Sequence, residues 1–434
     1  MLVKKNRYFI LIFILYLTLL LGLFTGEDLL QGAEIDYTNI LANKLSIFRN
    51  DIIFYFKNYE ELGLRHSPIF QIFHITFLNI YENDLFFRIV NIHLNLAIIL
   101  IFYFSLNLKM KKNLQGNLLI LVSILFLMPS FRSYSIWPDS FLSGFIFFML
   151  SVFYLLKFIE SDKSKKNYYA YLNIIFLSIS SYISPNFATF SIFYFYIFYT
   201  YFKFSKDLLK IVLLNITLSL PAFFYLFIMD NNFINTEAQW VENLSTFSLH
   251  NLANKVIILP TIFIIYFIPF LVIYFNQSKQ GLLLHLKKLN YYHYIVILLP
   301  FFLIKYFNYG EISKVLGGGG LFYNLLKFYD LIEIKLAIIS SISIFIILLF
   351  SANNLKNSIF IICLILSSPQ LTIYNVYFDL ILFIYLFLFF NNNLFETVKI
   401  LRQTKYVKFF FIYYFFILNL YIFKNSFYNL TQNI

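Results

Sequence analysis

Long apolar runs separated by short polar connections recur along the whole 434-residue chain. A bilayer core about 30 Å thick needs about 20 apolar residues per helix, so this pattern predicts an all-α, polytopic membrane helix bundle. We predict about 13 transmembrane helices, at residues 8–25, 85–108, 117–131, 139–158, 168–184, 186–202, 211–229, 255–275, 292–309, 333–351, 358–372, 374–391 and 408–424. No small-residue cleavage site follows the first run, which we therefore interpret as an uncleaved helix.

The segment between the first two predicted helices, residues 26–84, is the longest polar connection in the first half of the chain. Apolar residues in 37–62 recur at helical spacing, which predicts a helix lying along the membrane interface. Residues 67–81 are too short to span comfortably and begin with Ser-Pro, a helix-start signal. We expect two juxtamembrane helices in this first extracytoplasmic loop. No soluble segment is long enough to fold alone, so residues 1–434 are predicted to form a single integral membrane domain.

The charge of the chain is distributed unevenly. Lysine and arginine total 33 against 21 acidic residues, a net charge of +12. With a cytoplasmic N-terminus, the basic clusters at 109–112, 163–166 and 287–288 lie inside, and most acidic residues lie outside. This is the positive-inside pattern, and it predicts a multi-pass protein of the bacterial inner (plasma) membrane that contacts anionic lipid. The basic charge therefore predicts no nucleic-acid partner.

Four carboxylates follow the first predicted helix: Glu27, Asp28, Glu34 and Asp36. Acidic groups at the mouth of a membrane bundle are costly to hold, so they favour a functional role. One of them can act as a general base towards an acceptor hydroxyl. Asp36 is the first candidate because it directly precedes the interfacial helix; Asp28 is the second, and Glu34 is the third. The alternative is a solvated loop balanced by nearby basic residues.

The same acidic groups raise the question of a metal. The sequence demands no cofactor, but Glu27, Asp28 and Asp139 offer oxygen ligands of the type that Mg²⁺ or Mn²⁺ prefers. The only cysteine, Cys363, lies inside an apolar run, which excludes a cysteine-built metal site. No Ser/His/Asp arrangement or His-rich metal spacing is visible.

Candidate anion-binding groups lie downstream of the acidic stretch. Arg65 and His66 precede Ser67-Pro68 at a predicted helix start, where a cation and unpaired N–H groups favour a phosphate. The alternative is a capped helix in which Arg65 pairs with Glu60 or Glu61. Arg88 in the next helix and Lys305 near a later helix end are further candidates for binding a substrate phosphate.

Arg132, Trp137 and Asp139 share one short outer turn. An indole stacks on a sugar face and a carboxylate binds hydroxyl pairs, so the three residues suit a sugar or phosphate site. The alternative for Asp139 is a helix N-cap. Gly317–Gly320 lacks the Gly-Lys-Ser/Thr ending of a phosphate-binding P-loop and predicts a flexible turn or a close approach of the backbone to a ligand.

Residues 1–160 resemble the GT-C glycosyltransferases, which include protein mannosyltransferases and the aminoarabinose transferases of lipid A. The resemblance rests on a first helix followed by an acidic outer loop, on Arg65-His66-Ser67-Pro68-Ile69-Phe70, on Phe87-Arg88-Ile89-Val90 and on Asp139. Residues 161–434 match only as additional helices. This chain departs from the family where Ser67 replaces the first proline of the His-Pro-Pro motif, and where the adjacent acidic pair is spread over residues 27–36.

The resemblance implies inverting transfer of a sugar from a polyprenyl-phosphate donor to a cell-envelope glycan or lipid acceptor on the extracytoplasmic face. A carboxylate would take the acceptor proton, and Arg65, Arg88, Arg132 or Lys305 would stabilise the departing phosphate. Two alternatives stay open: a lipid-linked glycan flippase or other transporter without transferase activity, and an O-antigen-type polymerase or ligase. Ionisable groups gather at outer helix ends rather than at mid-membrane, which favours an enzyme over a transporter.

Overall fold

The computed structural model of the chain is helical throughout its described part, which comprises residues 2–30, 32–38, 47–48, 50–58, 69, 72, 84–110, 115–227, 248–277, 289–351, 354–368, 370–390 and 400–432. Helices make up 86% of the structure, and the described residues contain no strand. The predicted all-α fold class is confirmed at this level. The second predicted juxtamembrane helix, residues 67–81, lies outside the described residues except for 69 and 72.

The chain packs as two compact units, residues 1–231 with 398–434, and residues 232–397. The helices of the first unit are α1 (Leu2–Phe24), α2 (Ala33–Ile35), α3 (Ile52–Lys57), α4 (Asp84–Met110), α5 (Gln115–Ser123), α6 (Pro129–Ile136), α7 (Ser140–Glu160), α8 (Lys163–Ile183), α9 (Phe190–Phe202) and α10 (Lys206–Phe227). Those of the second unit are α11 (Leu249–Gln277), α12 (Tyr291–Leu303), α13 (Tyr309–Leu316), α14 (Gly320–Leu326), α15 (Ile332–Ser351), α16 (Leu355–Leu366) and α17 (Asp379–Leu388). The final helix, α18 (Thr404–Gln432), belongs to the first unit.

Among the described residues, six helices are long and apolar enough to cross a membrane: α1, α4, α7, α11, α15 and α18. A seventh span is possible if α5 and α6, which are bent by 64° relative to each other, count as one. This supports a helical membrane protein. The predicted number of 13 spans exceeds the number of helices that meet the length and composition criteria.

Helix breaks account for part of this difference. The predicted span 117–131 is interrupted at Met128, whose backbone is extended (φ −81°, ψ 123°) before Pro129 begins α6. A residue before proline is driven away from helical geometry, so the sequence itself places the break there. Other predicted spans correspond to helices of only 10–13 residues, such as α16 and α17, which are shorter than the roughly 20 residues that a perpendicular span requires.

Close helix contacts in the first unit use small residues. At Gly144 on α7, an added Cβ would lie 3.2 Å from the backbone oxygen of Ser180 on α8, and the Ser180 hydroxyl donates a hydrogen bond to the Gly144 carbonyl at 2.8 Å. Small residues let helix backbones approach within membranes. The antiparallel pair α7–α8 therefore provides a tightly packed support beside α4 and α6.

The tetraglycine turn of the second unit is packed against its neighbours. An added Cβ on Gly318, whose φ is +84°, would lie 2.6 Å from the Tyr309 hydroxyl and 2.8 Å from the Ile373 carbonyl oxygen. The Gly319 N–H donates to that same carbonyl at 2.9 Å. Glycine therefore permits both the left-handed backbone and the close approach at this turn.

Candidate functional site

The candidate site starts at the C-terminal end of α1, where the chain leaves the helix through a Schellman motif. Gly26 has φ +65°, its N–H donates to Leu23 O at 3.3 Å, and the Glu27 N–H donates to Gly22 O at 2.8 Å. This pair of bonds with a left-handed glycine ends many helices. The motif turns the backbone sharply and places Glu27 and the following residues, 26–30 and 32–38, hereafter the acidic loop, against α6.

Glu27 forms a bidentate ion pair with Arg132 on α6. The Arg132 Nε donates to Glu27 Oε1 at 2.5 Å and Nη2 donates to Oε2 at 2.7 Å. The remaining N–H groups of Arg132 reach Thr18 Oγ1, Thr18 O and Phe126 O. A guanidinium has five N–H groups, so this set uses the whole donor capacity of Arg132. Its side chain is 5% exposed.

Further contacts hold the acidic loop on α6. The Trp137 indole N–H donates to Glu27 O at 3.2 Å, and the Leu29 N–H donates to Ser133 Oγ at 3.0 Å. Trp137 itself is buried. Arg132 and Trp137, which the sequence suggests as substrate-binding residues, are therefore engaged within the protein as the framework of this loop.

Arg88, near the start of α4, is held on three sides. Its guanidinium carbon lies 3.5 Å from the centroid of the Trp137 ring, a cation–π contact, and Nε donates to Ile136 O at 3.0 Å. Nη1 lies 3.8 Å from the Asp84 carboxylate. Arg88 is 8% exposed, and its buried Nη2 has no hydrogen-bond partner in the described part of the chain. The described contacts thus leave one N–H₂ group of this cation unpaired.

Tyr37 fixes the far end of the acidic loop beside Arg88. Its hydroxyl donates a short hydrogen bond to Asp84, and its ring packs against those of Phe87 and Trp137. Burial and the hydrogen bond to Asp84 raise the pKa of the Tyr37 hydroxyl well above its usual value, so it stays protonated and acts as a donor. The loop is therefore attached at both ends, through Glu27 and through Tyr37.

The three carboxylates proposed as bases lie between these attachments. The Asp28 carboxylate accepts from the Leu30 and Glu34 N–H groups at 3.1 and 3.2 Å, so it orders the loop. Glu34 and Asp36 are exposed, and Glu34 interacts electrostatically with Arg88. The loop thus presents two exposed carboxylates, and that of Glu34 is close enough to the Arg88 guanidinium to interact with it.

Asp139 caps α7. Its Oδ2 accepts from the Phe141 N–H at 2.6 Å, which is the N-cap arrangement given above as the alternative for this residue. Burial raises the pKa of the Asp139 carboxyl from 3.8 to about 6, and the hydrogen bonds from the Phe141 and Ser140 N–H groups oppose the shift. A carboxyl group with this pKa exchanges protons near neutral pH.

The sequence also predicts Arg65, His66 and Lys305 as substrate-binding residues. Arg65 and His66 lie outside the described residues. Lys305 belongs to the second unit, where its exposed ammonium lies 4.7 Å from the Tyr306 ring centroid.

The three residues suggested as Mg²⁺ or Mn²⁺ ligands each make contacts within the protein. Glu27 is paired with Arg132, while Asp28 and Asp139 accept from backbone N–H groups. Among the described residues, no group of three His, Cys, Asp or Glu side chains is placed to hold a metal.

Sequence reasoning did not find Tyr37, Asp84, Thr18 or Gly22. The spacing of Asp84 and Arg88, four residues apart on one helix, was a usable local signal. Tyr37 contacts Asp84, 47 positions away, and Thr18 contacts Arg132, 114 positions away. No local sequence pattern indicates contacts over such separations.

Comparison of the chain with protein-family models, curated proteins and solved structures finds no match. The resemblance to the GT-C glycosyltransferases therefore remains a prediction from residues 1–160.

Proposed function

We propose that this protein is a membrane glycosyltransferase that moves a sugar from a polyprenyl-phosphate donor to a cell-envelope glycan or lipid acceptor. The observation that carries the proposal is the buried Arg88 guanidinium, whose Nη2 has no partner among the described residues, next to the exposed carboxylates of the acidic loop. A transferase that releases a lipid phosphate needs both a base for the acceptor and a cation for the leaving group.

In the proposed reaction, Asp36 or Glu34 removes the proton from an acceptor hydroxyl as its oxygen attacks the anomeric carbon. The new oxygen–carbon bond forms while the bond from that carbon to the phosphate oxygen breaks on the opposite face, so the configuration inverts. The proton ends on the carboxylate, and the electron pair leaves with the lipid phosphate. The Arg88 Nη2 group stabilises this developing charge, and Trp137 and Asp84 hold the guanidinium in place.

The proposed roles differ from the sequence expectations for two residues, Arg132 and Asp28. Arg132 donates all five of its N–H groups to Glu27, Thr18 and Phe126. In this proposal it therefore holds the acidic loop in place and does not bind the departing phosphate. Asp28 orders the loop through two backbone N–H groups, which leaves Asp36 and Glu34 as the candidates for the base.

The proposal also includes placement in the membrane. We propose that α8, α9 and α10 lie in the bilayer with the six long apolar helices, as part of the predicted set of 13 spans. The N-terminus lies in the cytoplasm, and the acidic loop faces the outside of a bacterial inner membrane. The basic cluster at 163–166 then lies inside, in agreement with the positive-inside rule.

The experiment that tests the role of Arg88 measures transfer by purified Arg88→Gln and Arg88→Lys proteins from defined polyprenyl-phosphate sugars. We expect kcat/KM to fall by about 100-fold in Arg88→Gln, the usual effect of removing one donor to a developing anion. Arg88→Lys retains charge but loses the planar fork, so we expect an intermediate loss. Arg402→Gln, which changes an exposed arginine, is the control. Full activity in Arg88→Gln would contradict the proposal.

A transporter is the second candidate, because one observation favours it. Asn95 on α4 is 1% exposed, and neither its amide oxygen nor its nitrogen has a partner among the described residues. Buried polar groups within spans and broken helices such as α5–α6 are typical of transport sites. Translocation of a fluorescent lipid-linked glycan in proteoliposomes, without any transfer, would favour this function over the transferase.

A further inference from the structure

A groove of about 310 Å³ lies between α8, α9 and α10 in the first unit. Its walls are apolar and aromatic, formed by Ile174, Leu177, Phe198, Ile211 and Val212. Ligand pockets of this kind begin at roughly 300 Å³. The groove is therefore large enough for part of a small apolar molecule or chain.

One end of the groove is polar. Helices α9 and α10 follow one another through a short connection, so Ser191 near the start of α9 faces the region of Asn215 and Ser219 on α10. The Ser219 hydroxyl donates to its own helix at Ile216 O. Ser191 and Asn215 are both partly exposed and line the groove. Polar side chains that line a groove in a bilayer are best satisfied by a polar partner, so this end favours a ligand with polar atoms.

The side of the groove is open and apolar. The lining residues Ile192, Phe195 and Ile216 are 54%, 44% and 52% exposed. Ile216 also belongs to an exposed apolar stripe on α10, formed by Leu209, Leu213, Ile216, Leu220 and Phe223. A ligand that enters from this side crosses an apolar surface, as a lipid chain does when it moves in from a bilayer.

The absence of charge in the described lining favours a neutral lipid group over a phosphate. None of the described lining residues is charged, so a phosphate at the polar end would find no cation among them. An ester carbonyl is neutral and accepts hydrogen bonds, which suits the Asn215 amide and the Ser191 hydroxyl. The groove therefore matches a hydrocarbon chain with an ester at its head better than the tail of a polyprenyl phosphate.

We propose that the groove between α8, α9 and α10 binds one ester-linked acyl chain of a bilayer glycerolipid. The Asn215 Nδ2 and Ser191 hydroxyl groups donate to the ester carbonyl, and the chain lies along Ile174, Leu177 and Phe198. This site rests on the membrane placement proposed above and does not require the transferase activity.

The test uses the full-length protein in vesicles of phosphatidylcholine that carries a photoreactive diazirine on one acyl chain. Labelled peptides are quantified by mass spectrometry for the wild type, Ile216→Trp and Leu213→Trp. Ile216 lines the groove, whereas Leu213 lies on the same exposed stripe and does not. We expect labelling of α8–α10 to fall about tenfold in Ile216→Trp, equivalent to about 1.4 kcal/mol, and to stay unchanged in Leu213→Trp.

Two further variants keep the test decisive. Val212→Phe fills the groove from a second position if Ile216→Trp fails to fold, as judged by size-exclusion chromatography. Asn215→Leu removes the amide and should lower labelling by about three- to tenfold, the value of one hydrogen bond. Equal labelling of wild type, groove-filling variants and Leu213→Trp would show annular lipid only and overturn the site, as would cross-linking to a second copy of the chain instead of lipid.

The labelling needs no sugar donor, so its failure is distinct from failure of the proposed transferase. Loss of groove labelling with intact transfer would overturn only the lipid site. Groove labelling with no transfer from any donor would support the lipid site and contradict the enzyme.

Discussion

Two arginines near the end of α1 differ in how many of their N–H groups the protein already uses. Arg132 gives all five to Glu27, Thr18 and Phe126, whereas Arg88 retains one buried N–H₂ group without a described partner. Of the two, Arg88 alone has a donor group that the described residues leave unpaired. The sequence identifies both arginines as candidates but cannot separate them, because Glu27 and Arg132 are 105 residues apart.

The Glu27–Arg132 pair predicts a large stability effect at one residue. Glu27→Gln leaves a nearly buried guanidinium without its counter-charge, so we expect a loss of about 3 kcal/mol in the free energy of unfolding. Equilibrium unfolding of the detergent-solubilised protein measures it. Glu34→Gln, at an exposed position of the same loop, should change stability by less than about 0.5 kcal/mol. Equal stability of Glu27→Gln and wild type would show that the pair does not hold the loop.

Asp139 predicts a pH dependence of stability. Its folded-state pKa of about 6 exceeds the ordinary value of 3.8, so between these values the folded protein binds the proton more tightly than the unfolded chain. The stability contributed by this group therefore rises as pH falls from about 6 to about 4 and is lost above pH 6.

Asp139→Asn isolates this effect, because asparagine is an equally good N-cap but stays neutral. At pH 8 we expect the variant to be more stable than the wild type by up to about 3 kcal/mol, with the gap closing towards pH 4. Thermal or denaturant unfolding over this pH range measures the difference. Stability curves that run parallel at all pH values would contradict it.

At the scale of elements, the turn after α1 decides where the acidic loop lies. The sequence predicts an end of α1 near residue 25, and the described helix ends at Phe24. The hydrophobic pattern does not predict the direction that the chain takes after α1. That direction depends on Gly26, whose backbone is left-handed, and on Gly22, whose missing side chain leaves room for the Glu27 carboxylate.

Gly22→Ala tests this turn. The new Cβ would lie 2.8 Å from Glu27 Oε2 and 3.0 Å from Ile136 Cδ1, and Arg132 prevents the carboxylate from moving aside. We expect a net loss of about 1–2 kcal/mol, since overpacking costs about 1–3 kcal/mol and the better helix propensity of alanine returns part of it. In the control Gly32→Ala, the added Cβ meets nothing within 4 Å. Unfolding of both variants in detergent gives the comparison, and an unchanged Gly22→Ala protein would refute the tight contact.

The sequence predicts where most helices lie but not how long they are. Apolar periodicity locates a helix in most predicted spans, including those that match α4, α7 and α18. Periodicity does not report where a helix stops inside an apolar run, because the residues on both sides of a break are equally apolar. The extended backbone at Met128 before Pro129 is such a break, and only the proline signals it.

At the scale of the whole molecule, the recurrence of long apolar runs predicts a helical membrane protein, and the described structure agrees with a helical protein rich in apolar helices. The orientation in the membrane and the activity rest on the charge pattern and on the candidate site. The acidic loop provides two exposed carboxylates, Glu34 and Asp36, on a segment held at Glu27 and Tyr37. Such attachment favours a positioned base over a freely solvated loop.

Transfer of sugar by the purified protein from defined polyprenyl-phosphate donors tests this account most directly. We expect turnover by the wild type and a loss of about 10²–10⁴-fold, the usual contribution of a general base, in either Asp36→Asn or Glu34→Gln. Asp330→Asn and Glu333→Gln, which neutralise exposed carboxylates of the second unit, should keep full activity. Full activity in both loop variants, or no turnover by the wild type with any donor, would contradict the account.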